Sequence, residues 1–232
     1  MEHNVTQNTW RSSIIGLIGI NIIIIIHECG HFFAAHFFNI PTPTFSIGFG
    51  PALLQIPIGT TLFQFALLPL GGYVEINQQV LENQPYVHKI IVMSAGIFFN
   101  IIFSSLIFFY YSWRKIPVSL QACLDYSRQQ NNNRSIIGPI GLISLIGKSF
   151  LQNKQLFFIM LALVSFNIAI FNILPLPFLD GGKIFLITMQ ALIGQHYPSG
   201  IVSMLSVLLL LFFILFISAI SINDIKRTNK SD

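Results

Sequence analysis

The sequence predicts a membrane protein with an all-α core of four transmembrane helices and a membrane re-entrant β-hairpin after the first helix. Only 9% of the 232 residues are charged and 53% are hydrophobic, whereas a soluble domain usually carries roughly 25% charged residues. Four long apolar runs alternate with polar segments, and a stretch rich in glycine and proline follows the first run. The length suits a single membrane domain over residues 1–232.

The four spans are predicted where an apolar run is long enough to cross the hydrocarbon layer, which takes about 20 residues. They cover residues 13–38, 89–113, 155–176 and 201–222. A polar tail, residues 1–12, precedes the first span. The first span ends before Pro41 and Pro43, because proline does not continue a helix.

Residues 44–76 do not resemble a helix, because glycine and proline recur throughout them. Gly59 and Thr60 are typical of a hairpin turn between two apolar strands. Extended backbone at membrane depth is tolerated only where protein buries it or water lines it. We therefore expect a re-entrant hairpin packed against the helices, with an edge that can pair with an extended peptide.

The first apolar run contains an HExxH motif, from His27 through Glu28 to His31. Two histidines four residues apart lie on one face of a helix and can bind one metal ion. The glutamate beside the first histidine can act as the base that activates water at such a site. Polar groups are costly in hydrocarbon and are kept there mainly for function. The motif therefore predicts a zinc hydrolase whose active site lies within the membrane.

A catalytic zinc site needs a third protein ligand, and Asp180 is the candidate. Apart from Glu28, the other carboxylates lie in the tails or in polar loops, whereas Asp180 follows the third span. A helix N-cap is the alternative role, since aspartate before Gly181 and Gly182 suits a helix start. Because HExxH leaves the metal site incomplete, we predict that Asp180 completes it.

The ordered motifs resemble those of the site-2 protease family of intramembrane zinc metalloproteases. HECGH in the first span and NILPLPFLDGG at residues 172–182 carry the resemblance. Further segments resemble motifs of the bacterial sigma-regulating branch of this family. They are FSIGFGP at residues 45–51, LPLGGYV at 68–74, SAG at 94–96 with Asn100, and GPIG at 138–141. The resemblance implies a four-span core in which His27, His31 and Asp180 bind Zn²⁺ and Glu28 is the base.

The resemblance also implies how substrate is held. Asn172 would hold the substrate backbone, and the hairpin at residues 45–74 would present an extended substrate segment. For Asn100, which lies within the second span, interhelical hydrogen bonding and a substrate contact are both open. Larger family members carry PDZ domains between the second and third spans, but the connector at residues 114–137 is too short for one.

The expected activity is cleavage of peptide bonds within or near the transmembrane segments of single-span membrane proteins or of remnant signal peptides. The expected location is the bacterial inner membrane, as a multi-pass protein in the lipid bilayer. Nucleic-acid binding is not expected, because the net charge of +4 reflects lysines and arginines in loops. The alternatives are a membrane zinc carrier or channel that uses the same ligands, and an inactive relative that only binds substrates.

Two arguments about orientation disagree. Ten of the twelve lysines and arginines belong to segments on one side of the predicted topology. The positive-inside rule places those segments, with both termini and the 114–137 connector, in the cytoplasm. The resemblance to the sigma-regulating branch implies the reverse, with both termini outside.

Overall fold

The computed structural model describes residues 2–114 and 139–193 and individual residues between 204 and 219. Within this part of the chain, helices predominate and one two-stranded antiparallel sheet follows the first helix. In chain order the elements are α1 (Glu2–Phe37), β1 (Thr44–Ile58), β2 (Thr61–Val74), α2 (Gln78–Glu82), α3 (Tyr86–Trp113), α4 (Pro139–Gln152), α5 (Lys154–Ile173) and α6 (Asp180–Ile193).

Three of the described helices are long and apolar enough to cross a bilayer. They are Trp10–Phe37 within α1, Tyr86–Trp113 and Lys154–Ile173. These candidate spans match the predicted spans 13–38, 89–113 and 155–176, apart from small differences at their ends. Of the predicted fourth span, residues 201–222, ten individual residues are described and all ten are helical, and of the connector, residues 114–137, only Arg114 is described. The described part of the chain therefore has the character of a multi-pass membrane protein with three candidate spans.

Three helix ends differ from the predicted boundaries by three residues or more, and one of them is the start of α3, at Tyr86 rather than at residue 89. The helix α1 begins at Glu2, so the predicted polar tail continues the first helix. Its first dozen residues contain neither proline nor glycine, and polar side chains alone do not interrupt a helical backbone. The third span ends at Ile173 rather than at residue 176, because Pro175 lacks an N–H donor and disfavours a helical conformation at Leu174.

The strands β1 and β2 form the predicted hairpin, which turns at Gly59 and Thr60. Gly59 has a φ of +60°, which glycine adopts without steric cost. The strand β2 curls around the start of β1, so that Phe45 pairs with Phe63 near the beginning of β2 and with Val74 at its end. The start of β1 is therefore flanked on both sides, and the segment that ends at Val74 forms an outer edge.

The remainder of the hairpin exposes apolar side chains. Leu53, Leu54, Ile56, Ile58, Leu67, Leu68 and Leu70 are all more than 40% exposed. Backbone groups that are paired within the hairpin tolerate an apolar environment, and these side chains suit contact with hydrocarbon. Entry of the hairpin into the membrane stays a prediction.

The chain divides into two compact units. One consists of residues 1–20, 104–164 and 210–232, and the other of residues 21–103 and 165–209. In the described part of the first unit, a core cluster contains Tyr111, Leu145, Ile159 and Met160. In the second unit a cluster contains Ala35, Ile40, Leu81, Val92 and Met93, and Ile184 and Ile187 of α6 pack against it. The second unit therefore holds α6 against α1 and α3.

Glycine allows close packing between α1 and α4 in the first unit. A Cβ atom on Gly147 would overlap the backbone carbonyl of Ser12, and one on Gly16 would overlap the carbonyl of Ile143. The two helices therefore approach until their backbones touch, which is a common form of helix packing in membranes.

We expect Gly147→Leu to lower the unfolding temperature of the protein in detergent by roughly 5 °C or more, because overpacking costs about 1–3 kcal/mol. Thermal unfolding followed by circular dichroism measures the change. Leu151→Ala is the matched control on the same helix, since Leu151 is 46% exposed and should contribute little. An unfolding temperature that is the same for Gly147→Leu and the wild type would contradict the close backbone contact.

Candidate metal centre

The two histidines of the HExxH motif lie one turn apart on α1 and face the same side. Their Nε2 atoms are 3.3 Å apart, and the two rings meet edge to face. Both residues are buried, with His27 8% exposed and His31 6% exposed. The spacing of four residues therefore produces the convergence that the sequence indicated.

Asp180 reaches the histidines from the first residue of α6. Its Oδ2 atom lies 2.9 Å from Nε2 of His27 and 3.0 Å from Nε2 of His31. The carboxylate is buried, as Asp180 is only 4% exposed. The structure therefore brings together the three side chains that were predicted as metal ligands.

Local backbone structure explains why Asp180 lies there. After α5 ends, the chain turns through residues 174–179, where the N–H of Leu179 donates to the carbonyl of Leu176. A Cβ atom on Gly181 would overlap the carbonyl of Ile173, and one on Gly182 would overlap the carbonyl of Leu176. The two glycines therefore allow the first turn of α6 to pack against the preceding segment, which sets the position of Asp180.

The outward-facing atoms of the three side chains are also held. Nδ1 of His31 donates to the carbonyl of Val92 at 2.8 Å. Nζ of Lys183 donates to Oδ1 of Asp180 at 3.2 Å, so Oδ2 alone faces the histidines. The side-chain amide of Asn100 lies 3.3 Å from Nδ1 of His27. Such outer partners orient metal ligands and select the histidine tautomer.

The cluster fits a divalent metal by its chemistry and by its spacing. One ligand atom each from His27, His31 and Asp180 lies within 4.8 Å of the other two. Gly96 of α3 leaves space beside them, because a Cβ atom there would lie 2.5 Å from Nε2 of His31 and 2.7 Å from Nε2 of His27. Two imidazole nitrogens and one carboxylate oxygen form a ligand set found in catalytic zinc sites, which keep a further position for water or substrate.

Glu28 lies beside this cluster and contacts the hairpin. Its Oε2 atom accepts a hydrogen bond of 3.1 Å from the backbone N–H of Val74. The neighbouring N–H of Glu75 donates to the carbonyl of Thr44, so the N–H of Val74 points away from β1. The outer edge of the sheet therefore lies at the predicted catalytic base.

The two asparagines that were predicted to contact substrate differ in their surroundings. Asn172 lies in the last turn of α5, where its Nδ2 atom donates to the carbonyl of Ile168 at 3.0 Å. Asn100 is fully buried beside His27. The structure thus places Asn100 at the metal cluster and gives Asn172 a hydrogen bond within its own helix.

Sequence reasoning assigned no role to three groups that contact the site. The contact of Lys183 with Asp180 could have been predicted from the sequence, because a cation three residues after Asp180 lies on the same side of a helix. The carbonyl of Val92 and the N–H of Val74 carry none, because every residue except proline offers the same backbone groups.

Comparison with known proteins gives a family assignment. The model of peptidase family M50 matches residues 15–217. A Fusobacterium nucleatum protein named "Putative zinc metalloprotease FN1322" is 33% identical over 104 residues, which cover 41% of this chain and 31% of that protein. The Arabidopsis thaliana protein named "Membrane metalloprotease ARASP, chloroplastic" is 38% identical over 99 residues, which cover 38% of this chain and 22% of that protein.

Both alignments span less than a third of the relative's length. The family model, in contrast, covers most of the chain and includes the HExxH motif and Asp180. This chain therefore belongs to peptidase family M50, the site-2 protease family.

Proposed function

We propose that this protein is an intramembrane zinc metalloendopeptidase. Its substrates would be single-span membrane proteins or remnant signal peptides, cut within or near their transmembrane segments. The observation that carries the proposal is the buried convergence of His27, His31 and Asp180, with Glu28 next to them in sequence. The names of the relatives, which include zinc and membrane metalloproteases, support the same activity.

His27, His31 and Asp180 would hold the zinc ion. A zinc ion bound there supplies a Lewis acid that polarises the scissile carbonyl and lowers the pKa of water toward roughly 7. The ligand side chains need no large rearrangement to meet one ion, since their facing atoms are already within 3.3 Å of each other.

Glu28 would carry the proton transfers. Its carboxylate takes a proton from the attacking water and delivers it to the nitrogen of the leaving amine. The hydrogen bond from the N–H of Val74 holds Oε2 and orients the carboxylate. Glu28 is half-buried, whereas His27, His31 and Asp180 are buried.

The outer edge of the sheet offers a place for the substrate backbone. Among the described residues no further strand pairs with the segment that ends at Val74. A substrate helix hides its carbonyls in hydrogen bonds, and an unwound segment added to this edge would regain backbone partners. Because Val74 contacts Glu28, such a strand would arrive beside the base. Asn172 would contribute a further contact to the substrate backbone.

The proposed location is the bacterial inner membrane. The three candidate spans and the apolar surface of the hairpin suit a protein embedded in lipid. A zinc carrier would use the same three ligands, but it would leave Glu28 and its contact with the sheet without a role. A protease gives each of these features a function.

Replacement of Glu28 by glutamine tests the proposed base. We expect Glu28→Gln to cleave a single-span reporter at least about 100-fold more slowly, because general acid–base catalysis contributes roughly 10²–10⁴ in rate. Zinc content should stay near that of the wild type, since the ligands are intact. Glu82→Gln, the same change at an exposed residue of α2, should cleave normally. Cleavage by Glu28→Gln at the wild-type rate would refute the mechanism.

Replacement of Asp180 by asparagine tests its role as a zinc ligand. Asparagine has nearly the same size and shape as aspartate and is also tolerated at the start of a helix, so Asp180→Asn should keep α6 folded. A neutral amide is a poor zinc ligand. We therefore expect zinc affinity to fall by more than roughly 100-fold, which is the largest loss usually seen when only a hydrogen-bond partner of a metal ligand is removed. Competition with a chromogenic chelator measures the affinity. Undiminished affinity would show that Asp180 is not a zinc ligand.

A further inference from the structure

The binding of one zinc ion by both histidines constrains their tautomers. This inference rests on the proposed zinc site. A histidine that coordinates through Nε2 must carry its proton on Nδ1, and that N–H then needs an acceptor. In His31 the requirement is met by the carbonyl of Val92, which can only accept a hydrogen bond.

For His27 the group at Nδ1 is the side-chain amide of Asn100 on α3. This amide lies 3.3 Å from Nδ1, and Asn100 is 0% exposed. The nitrogen end of the amide faces the ring, so Nδ1 accepts a hydrogen bond from it and the ring proton lies on Nε2. Nε2 then donates to Oδ2 of Asp180 at 2.9 Å. Rotation of the amide by 180° about its last side-chain bond exchanges its two ends and moves no other atom. The oxygen then faces Nδ1 and can accept its proton.

The backbone around Asn100 is anchored from two directions. The hydroxyl of Ser165 on α5 donates to the carbonyl of Asn100 at 3.1 Å. One turn earlier on α3, Gly96 lies against the Nε2 atoms of both histidines, and Gly30 of α1 packs against Ala95 and Gly96. The amide is therefore held at His27 by the packing of α1, α3 and α5 in this unit.

We propose that Asn100 is a positioning residue for zinc binding. Its Oδ1 atom accepts the hydrogen bond from Nδ1–H of His27 and so keeps the Nε2 lone pair directed at the metal. Asn100 thus acts through His27 rather than on the substrate, since it is fully buried behind the ligand. Asparagine suits this position because one amide can either donate to the ring or accept from it.

Zinc affinity of purified variants tests the proposal independently of proteolysis. Asn100→Leu has a similar shape but no acceptor, and Asn100→Ala removes the acceptor without adding bulk. Each should bind zinc 10–100-fold more weakly, the usual effect of losing a partner behind a metal ligand. Asn100→Asp keeps an acceptor and should bind zinc at least as tightly as the wild type. Ser165→Ala is the matched control, because it removes a hydrogen bond to the backbone of Asn100 and leaves its amide in place.

Cobalt(II) substitution adds a spectroscopic readout. The visible absorption of the bound Co²⁺ should change in Asn100→Leu and Asn100→Ala, and should stay close to that of the wild type in Asn100→Asp and Ser165→Ala. Circular dichroism shows which variants are folded. If Asn100→Leu does not fold, Asn100→Ala alone provides the test.

Two results would overturn the proposal. One is wild-type zinc affinity together with an unchanged Co²⁺ spectrum in both Asn100→Ala and Asn100→Leu. The other is a loss in Asn100→Asp as large as that in Asn100→Ala, which would mean that the amide acts as a donor or only fills space. A wild-type protein that binds zinc and cleaves no membrane substrate would refute the proposed protease activity and leave the role of Asn100 standing.

Discussion

The contact between the carboxylate of Asp180 and the imidazoles of His27 and His31 is the interaction on which the described site depends. A buried carboxylate is costly in an apolar environment unless a partner offsets its charge. The partners come from elements far apart in sequence, and their facing atoms are 2.9–3.0 Å apart. Glycines make this possible, because Gly30 and Gly96 allow α1 and α3 to touch, and Gly181 and Gly182 allow α6 to begin against the preceding turn. The geometry of the metal ligands therefore depends on the close packing of these helices.

The hairpin connects this buried cluster to a sheet edge with which no other strand of the described part of the chain pairs. Because β2 curls back along the start of β1, its last residue ends at Glu28 rather than far from it. A single hydrogen bond from Val74 then links the position of the base to the position of the sheet. Strand addition at that edge would place the substrate carbonyl, the base and the metal ligands in one region, which is the main requirement for cleaving a segment that starts as a helix.

The sequence was sufficient for the parts of the site that depend on residue type and spacing. The HExxH motif predicts the two histidines on one helix face, and Asp180 is a rare carboxylate beside an apolar run. The turn at Gly59 and the three described spans followed from the local sequence, that is, from the Gly59-Thr60 pair and from the lengths of the apolar runs. The sequence did not predict the contacts that depend on tertiary packing. The double pairing of Phe45, the N–H of Val74 and the carbonyl of Val92 involve backbone groups, which no side-chain pattern identifies. The proximity of Asn100 to His27 likewise depends on how α1 and α3 cross.

X-ray absorption at the zinc edge of the purified protein shows directly whether two imidazoles and one carboxylate hold one zinc ion. We expect stoichiometric zinc with two imidazole nitrogens at about 2.0–2.1 Å and oxygen ligands at about 2.0–2.2 Å. This coordination has no sulfur shell, although Cys29 lies within the motif. A sulfur ligand at about 2.3 Å, a single imidazole, or the absence of bound zinc in folded protein would contradict it.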